Sequence, residues 1–356
     1  MTKLVIHATN VTGLGACQVV CSLLNAFDSN DFGYTEIVCY APESGPVAEF
    51  HPNSSTLRIE RVKRFLPKAL SRMLECLFPS FYFDLGQNLL VLGDIPLRTN
   101  VPQVLLVHQP HLISPQVDES SNTGVLYCVM RLLTRMNASK TASVVVQTDA
   151  MRSALMDTYG DWCRRRCITV IGQPVPVWFD LSEGRTRRLY DAKGLRLFYP
   201  AAGYPHKNHD LIRELAKNYD ELNGLDVLTV TLPPEQFDVD AAWLNCVGRL
   251  NHEACLNEYE KSDALVFPSV LESYGLPLVE AMTLGIPILV SDLPYAHALC
   301  GDEAIYFDPQ SADSLKKAIL LLNSKLQDGW EPEWEPQLSK LPKTWSEVAR
   351  QFVDLF

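Results

Sequence analysis

The sequence predicts an α/β protein of two domains, each built on a doubly wound parallel sheet. A chain of 356 residues exceeds what one hydrophobic core usually holds, which favours two domains. Short apolar runs alternate with segments of helical spacing. Strands that are apolar on both faces belong in parallel sheets covered by helices. The predicted strands are residues 89–92, 104–107, 143–146, 195–199, 264–267 and 287–290.

Helices are predicted between these strands, because apolar residues recur there every three or four positions. Examples are Ala16, Val19, Val20, Leu23 and Phe27, and later Leu315, Ala318, Ile319 and Leu322. The pattern pauses at residues 172–176, and a charged stretch without strand character follows at 181–194. We therefore expect domains at 1–175 and 176–343. The amphipathic segment 344–356 is expected to pack back on the first domain.

Composition limits the class of protein. The formal net charge of −11 and the isoelectric point near 5.2 argue against a nucleic-acid partner, since binding phosphate polymers needs a dominant basic surface. The apolar run at the start is short and indicates a first strand instead of a signal peptide. No run reaches the roughly 18 apolar residues of a membrane span. A cytoplasmic protein is expected, with membrane contact limited to the surface.

The ten cysteines are expected to be buried, reduced thiols, because most of them fall inside apolar patterns. Cys163 and Cys167 have the spacing of a metal-ligand pair. No second Cys or His pair lies near them in the sequence, so no zinc site is expected.

The segment with the most chemical information is 267–287. A buried strand ends at Phe267, a polar loop with Gly275 follows, and a helix begins near Pro277 and stops at Gly285. Backbone amides at such a helix start, together with the helix dipole, favour a phosphate group. Two acidic residues belong to this segment. Glu272 lies in the loop, and Glu280 lies about a turn into the helix, where a carboxylate can accept two sugar hydroxyls. Alternatively, Glu280 only complements the helix dipole.

This segment resembles the retaining glycosyltransferases of family 4, which have the GT-B fold of two Rossmann-like domains facing across a cleft. The signature of that family is two glutamates separated by seven residues, matched by Glu272 and Glu280. The resemblance implies that Glu272 holds hydroxyls of the donor sugar and Glu280 the ribose. It also implies a donor-binding loop, made here of Ser273, Tyr274, Gly275 and Leu276.

A second match follows the strand at 195–199, where Lys207-Asn208 aligns with a lysine that faces the donor diphosphate in the family. A desolvated ammonium there would stabilise the charge that grows on the leaving group. Many members have an arginine six residues earlier, where this chain has Ala201. No residue of this chain is therefore assigned as a second cation, beside Lys207, for the donor diphosphate.

Weaker matches cover the first half of the chain. Gly15 lies in the turn after the first strand, and the resemblance implies that this turn approaches the donor phosphates. His108 follows another strand, and the family places a histidine there against the reacting sugar. Its predicted position at the carboxyl edge of the sheet agrees with such a role.

The resemblance implies transfer of a sugar with retention, from a UDP- or GDP-sugar to a glycan or lipid-linked acceptor. The expected setting is polysaccharide or lipopolysaccharide assembly. No cofactor or metal is expected to be required, and we expect Glu272, Lys207 and His108 to act in catalysis. No residue is assigned as a covalent nucleophile.

Three other interpretations remain open at this stage. Gly13 and Gly15 suggest a nicotinamide-dependent oxidoreductase, although Gln18 stands where the third glycine of that fingerprint belongs. A catalytically silent partner of another transferase is the second, favoured by Ala201. Asp238 and Asp240 could form a metal-binding pair, although aspartates before a helix are ordinarily caps.

Residues 61–78 mix basic and large apolar side chains in an acidic protein. A patch that meets a lipid-linked acceptor at the inner face of a membrane has this composition, with Lys63, Arg64 and Lys68 as the cations. The alternative is a surface helix that packs Leu70, Leu74, Leu77 and Phe78 inward.

Overall fold

The computed structural model describes residues 2–113, 122–163, 166–179, 190 and 193–356. The predicted stretch 181–194 and the residues between Cys163 and Cys167 lie partly outside these ranges, and the side chain of Lys68 lies outside them too. The chain divides into two compact units. Unit 1 comprises residues 1–176 and 342–356, and unit 2 comprises residues 177–341.

Unit 1 contains a parallel sheet of seven strands among the described residues, which confirms the predicted α/β class. Its strands are β1 (Lys3–His7), β2 (Glu36–Ala41), β3 (Leu57–Arg61), β4 (Asn88–Val91), β5 (Gln103–Leu106), β6 (Ser143–Val146) and β7 (Cys167–Val170). Their order in the sheet is β3-β2-β1-β4-β5-β6-β7. The direction of winding therefore reverses between β1 and β4. Its helices are α1 (Leu14–Ser29), α2 (Lys68–Leu77), α3 (Asn122–Asn137) and α4 (Asp149–Cys163).

Unit 2 contains a second parallel sheet, of six strands in the order β10-β9-β8-β11-β12-β13. The strands are β8 (Leu195–Tyr199), β9 (Leu225–Val230), β10 (Leu244–Cys246), β11 (Ala264–Phe267), β12 (Ile288–Ser291) and β13 (Ile305–Phe307). The helices are α5 (His209–Asn218), α6 (His252–Lys261), α7 (Leu276–Thr283), α8 (Pro294–Cys300), α9 (Ala312–Gln327) and α10 (Glu335–Leu338). Here the winding reverses between β8 and β11.

The last helix, α11 (Trp345–Val353), belongs to unit 1 and contacts α1. The indole Nε1 of Trp345 donates a hydrogen bond of 2.8 Å to the carbonyl of Val175. The guanidinium of Arg350 lies 4.7 Å from the centre of the Phe32 ring. None of the helices in the described part of the chain is long and apolar enough to cross a bilayer.

The strands are buried because their side chains are apolar on both faces. Leu89, Leu90 and Val91 of β4 are fully buried, as are Leu265, Val266 and Phe267 of β11. Polar residues are therefore concentrated in the loops after the strands. In an open parallel sheet these loops meet at the carboxyl edge, where ligands bind at the point of reversal.

Candidate functional site

The loops after β8 and β11 lie side by side at the reversal point of unit 2, because these two strands are paired in the sheet. The first loop carries Lys207 in a short 3-10 helix, Pro205–Lys207. The second carries Glu272. The topology thus brings together two residues that are 65 positions apart in the sequence.

Four hydrogen bonds hold the Lys207 loop against its surroundings. The hydroxyl of Tyr199 donates to the Lys207 carbonyl at 2.6 Å. Asn208 adopts a left-handed backbone with φ of 54°, and its amide donates to the carbonyls of Pro268 and Pro309 at 3.1 and 2.9 Å. The amide N–H of Val270 donates to the His206 carbonyl at 2.8 Å. The backbone that carries Lys207 is therefore fixed against the loop that carries Glu272.

Lys207 and Glu272 form an ion pair, with 2.5 Å between Nζ and Oε1. Their side chains are 17% and 11% exposed, so both are largely shielded from water while still reaching the surface. The ammonium also lies 5.5 Å from the centre of the Phe267 ring, within range of a cation–π interaction. Partial desolvation strengthens the electrostatic effect of such a pair on a ligand.

The helix α7 begins close to this pair in the sequence, at Leu276, and Gly275 directly precedes it. This glycine adopts φ of +103°, a conformation that other residues rarely take. A Cβ atom there would approach Leu278 Cδ1 at 3.0 Å. No side chain caps this helix start, so its amides and the dipole are suited to an anion. Of the predicted loop residues, Tyr274 is buried at 2% exposure, which leaves its backbone as the part that could meet a ligand.

Glu280 is buried in α7, and its Oε2 accepts a hydrogen bond of 2.7 Å from the Tyr259 hydroxyl. Burial raises the pKa of the Glu280 carboxyl to about 7, and the Tyr259 hydrogen bond partly opposes that rise. Glu280 therefore does more than complement a helix dipole at the surface. It is a buried acid that titrates near neutral pH.

Ala201, at the position of the family arginine, is buried. Its N–H donates to Thr231 Oγ1 at 2.9 Å, and that hydroxyl returns a hydrogen bond of 3.1 Å to the Ala201 carbonyl. These two hydrogen bonds hold the backbone of this loop, which has no arginine side chain at position 201. Arg249, which follows β10, is exposed.

In unit 1, His108 follows β5 at the carboxyl edge of the sheet. Oδ1 of Asp94 accepts the backbone N–H groups of His108 and Gln109 at 2.7 and 2.8 Å. The same oxygen lies 3.5 Å from Nδ1 of the His108 ring. While it makes these contacts, Asp94 has a φ of 68°, a value that non-glycine residues seldom adopt. Gly15 lies exposed in the first turn of α1, where an added Cβ would meet nothing within 4 Å.

Two residues in contact with the predicted site were not foreseen from the sequence. Asp94 follows Gly93 in the loop after β4, three residues beyond Val91, and this position near a strand end was a signal in the sequence. Tyr259 lies in the middle of α6, and nothing in its sequence surroundings distinguishes it from a core tyrosine.

Within the described residues, no group of three or more His, Cys, Asp or Glu side chains is placed to hold a metal ion. Asp238 and Asp240 are both exposed, and Asp238 adopts φ of 50°. Their neighbourhood, in the part of the chain that the structure describes, holds no such group.

The structure corrects the expected role of Arg64 in segment 61–78. Its guanidinium donates to both carboxylate oxygens of Glu75 at 2.7 Å, and Glu75 is buried. Arg64 is thus turned inward because it compensates a buried carboxylate. The inward packing considered for Leu70 and Phe78 is also wrong, since these side chains are 48% and 49% exposed.

Comparison with known proteins finds a family similarity in part of unit 2. Residues 243–332, which include Glu272 and Glu280, match the family model "Glycosyl transferases group 1". A similar protein is "O-antigen chain mannosyltransferase RfbU" of Salmonella typhimurium, 29% identical over 233 residues. That match covers 63% of this chain and spans 61% of the length of the relative.

Solved structures share the fold over nearly the whole chain. Sucrose-phosphate synthase of Thermosynechococcus elongatus has a TM-score of 0.66 at 14% identity, covering 99% of this chain and 94% of the other. Anabaena Alr3699/HepE, solved with UDP and glucose, has a TM-score of 0.62 at 12% identity, covering 100% and 96%. Residues 243–332 are thus similar to the glycosyl transferases of group 1, and the two parallel-sheet units have the GT-B fold of the solved structures.

Proposed function

We propose that the protein is a retaining glycosyltransferase that transfers a sugar from a nucleotide-diphosphate donor to a glycan or lipid-linked acceptor. The observation that carries this proposal is the Lys207–Glu272 pair of 2.5 Å at the reversal point of the unit 2 sheet. The pair places a shielded cation and a carboxylate beside the uncapped start of α7. A sugar diphosphate needs both groups, one for its phosphates and one for its hydroxyls.

Lys207 is proposed to face the donor diphosphate. As the bond between the anomeric carbon and the phosphate oxygen breaks, negative charge grows on the leaving group, and the ammonium stabilises that charge more than it stabilises the ground state. Glu272 holds the ammonium in place and has a second carboxylate oxygen for a hydroxyl of the donor sugar. The amides around Gly275 and Leu276, with Ser273 and Tyr274 before them, bind the phosphate oxygens.

Retention would follow from displacement on the front face of the sugar. The acceptor oxygen forms its bond to the anomeric carbon on the side from which the phosphate leaves, and the acceptor's proton passes to the leaving phosphate oxygen. This step needs cations and positioning more than a protein base, so no covalent nucleophile is assigned. Glu280 is proposed to accept the ribose hydroxyls with its carboxylate.

Two residues of unit 1 complete the proposed assignment. Gly15 lets the turn after β1 approach the diphosphate, because it has no side chain there. His108, with its backbone held by Asp94, faces the reacting sugar. No metal or cofactor is included in this proposal.

The donor is proposed to be a UDP- or GDP-sugar. The structural neighbour from Anabaena was solved with UDP and glucose, and the Salmonella relative is called an O-antigen chain mannosyltransferase. These relatives support a place in polysaccharide or lipopolysaccharide assembly. We place the enzyme in the cytoplasm, at times on the inner face of the membrane, where residues 61–78 would meet a lipid-linked acceptor.

The test is a panel of UDP- and GDP-sugars with the purified protein, read first by thermal shift, because a ligand that binds only the folded state raises its stability. The donor found is then assayed for hydrolysis and transfer, and the anomeric configuration of the product is determined by NMR. An inverted product would contradict retention. Binding of NAD in place of every sugar nucleotide would favour the oxidoreductase, and donor binding without hydrolysis or transfer would favour the silent partner.

A further inference from the structure

The helix α3 of unit 1 exposes apolar side chains along one face. Leu126, Val129, Leu132 and Met136 are all exposed, the last two at 56% and 52%. These positions recur at the spacing of one helix face. A helix at the surface of a globular protein ordinarily turns its polar residues to water, so this face is unusual.

Two polar residues of α3, Arg131 and Asn137, are instead buried and hydrogen-bonded within unit 1. Arg131 is 8% exposed, and its guanidinium donates to the His111 carbonyl at 3.2 Å. Asn137 is fully buried, and its amide donates to the carbonyls of Cys76 and Pro96 at 3.1 and 2.9 Å. These bonds fix the rotation of the helix. The outward position of the apolar residues is therefore determined by the fold.

The exposed face of α3 continues into the segment around α2. The Asn137–Cys76 hydrogen bond joins the C-terminal ends of the two helices, and exposed Met136 and Phe78 lie one and two residues away from these partners in the sequence. Leu77 of α2 and Met130 of α3 pack against the same core. We call the exposed apolar residues of these two segments together the α2–α3 face. Its exposed apolar residues are Phe65, Leu66, Leu70, Phe78 and Phe81 together with Leu126, Val129, Leu132 and Met136.

The charge of the two segments has the opposite sign to that of the whole protein. Residues 61–82 contain five basic residues and one acidic residue, and residues 122–148 contain three basic residues and no acidic one, in a chain of net charge −11. The one acidic residue, Glu75, is buried and paired with Arg64. Exposed Arg61, Lys63 and Arg135 therefore meet no acidic neighbour within these segments.

We propose that the α2–α3 face inserts its apolar residues into the interface of an anionic lipid bilayer, with α3 as a second contacting helix. The inference extends the proposed membrane contact of residues 61–78 and rests on it. Exposed apolar residues with basic neighbours are typical of segments that lie on an anionic membrane. A second helix in contact increases the buried apolar area, on which binding strength depends.

The experiment is flotation of the full chain with vesicles of phosphatidylcholine alone and with phosphatidylglycerol added. The α3 variant is Leu132→Gln with Met136→Gln, and the α2 variant is Phe65→Ser with Leu66→Ser. The matched control is Leu320→Gln with Leu321→Gln, which removes two exposed leucines from α9 of unit 2. Thermal unfolding shows that each variant is folded, and nucleotide binding shows that the donor site is intact.

We expect the α3 variant to lower the partition coefficient on anionic vesicles by at least about tenfold, since two apolar side chains no longer leave water. The control should stay within about twofold of the wild type. If the α3 variant binds vesicles like the wild type while the α2 variant loses vesicle binding, the proposed role of α3 is overturned and that of residues 61–78 is kept. No vesicle binding by the wild-type protein would overturn both membrane proposals while leaving the proposed transferase activity untouched. A wild-type dimer in the absence of lipid, abolished in the α3 variant, would assign the face to a second copy of the chain and overturn the inference.

Discussion

The hydroxyl of Tyr259 donates a hydrogen bond of 2.7 Å to Oε2 of Glu280, and both side chains are buried in unit 2. The pair joins α6 to α7 behind the loop that carries Glu272. Burial disfavours the charged form of Glu280 and raises its pKa from 4.5 to about 7. The acid thus changes its charge in the range where an enzyme of this kind would work.

The first prediction concerns stability and pH. Between about pH 4.5 and 7 the unfolded chain has released the Glu280 proton that the folded chain still holds, so the free energy of unfolding falls as the pH rises. Glutamine can accept the Tyr259 hydrogen bond and does not titrate. We therefore expect the free energy of unfolding of Glu280→Gln, relative to that of the wild type, to increase between pH 5 and pH 8 by up to roughly 3 kcal/mol. Urea unfolding at both pH values measures this, and a difference independent of pH would contradict it.

The second prediction concerns donor affinity. If the ionised Glu280 accepts two ribose hydroxyls, protonation removes an acceptor, and nucleotide binding should weaken as the pH falls through about 7. Isothermal titration of UDP and GDP at pH 6 and pH 8 tests this. The Glu280→Gln variant is the reference, because it shares every other titrating group. Equal pH dependence in the two proteins would remove the ribose role of Glu280.

The third prediction concerns the Lys207–Glu272 pair. Removal of an oriented group that acts on transition-state charge typically costs roughly 10² to 10³ in rate, so Lys207→Ala should reduce kcat by that factor. Glu272→Ala is expected to lose a similar factor, since it also releases the ammonium. Lys261→Ala is the control, because this lysine is exposed and pairs with Glu258 in the same unit. Wild-type turnover by folded Lys207→Ala would reject the assignment.

The fourth prediction compares two glycines. Gly275→Ala places a Cβ 3.0 Å from Leu278 Cδ1 at φ of +103°, so we expect a loss of about 1–3 kcal/mol in stability together with weaker donor binding. Gly15→Ala meets nothing within 4 Å and lies within α1, where alanine favours helix by up to about 1 kcal/mol. Its folded state should be as stable as the wild type or more so. A loss of donor affinity in stable Gly15→Ala would therefore report contact with the diphosphate, and unchanged affinity would exclude that contact.

The fifth prediction concerns Arg64. Its substitution by alanine leaves the buried carboxylate of Glu75 without its cation, and removal of one partner of such a pair costs about 3–5 kcal/mol. Thermal unfolding should show a clear loss for Arg64→Ala and little change for Lys63→Ala, whose side chain is exposed. Equal midpoints for the two variants would show that the Arg64–Glu75 pair does not stabilise unit 1. Because of this cost, tests of membrane binding should leave Arg64 in place.

The sequence alone predicted the fold class, since runs of apolar residues such as 264–267 can only be buried between layers of helices. The roles of the residues from Glu272 to Glu280 stay predictions, but the local spacing of acids, glycine and proline in this loop was enough to indicate a resemblance to glycosyltransferases. The similarity of residues 243–332 to group 1 glycosyl transferases agrees with that prediction.

The tertiary structure decided which distant residues meet. The pairing of β8 with β11 places Lys207 against Glu272, and the packing of α6 on α7 gives Glu280 its buried partner Tyr259. It also turned Arg64 inward and left Leu126, Val129, Leu132 and Met136 of α3 exposed. Periodicity shows that a helix has two faces, but only the hydrogen bonds and packing around the helix determine which face is buried.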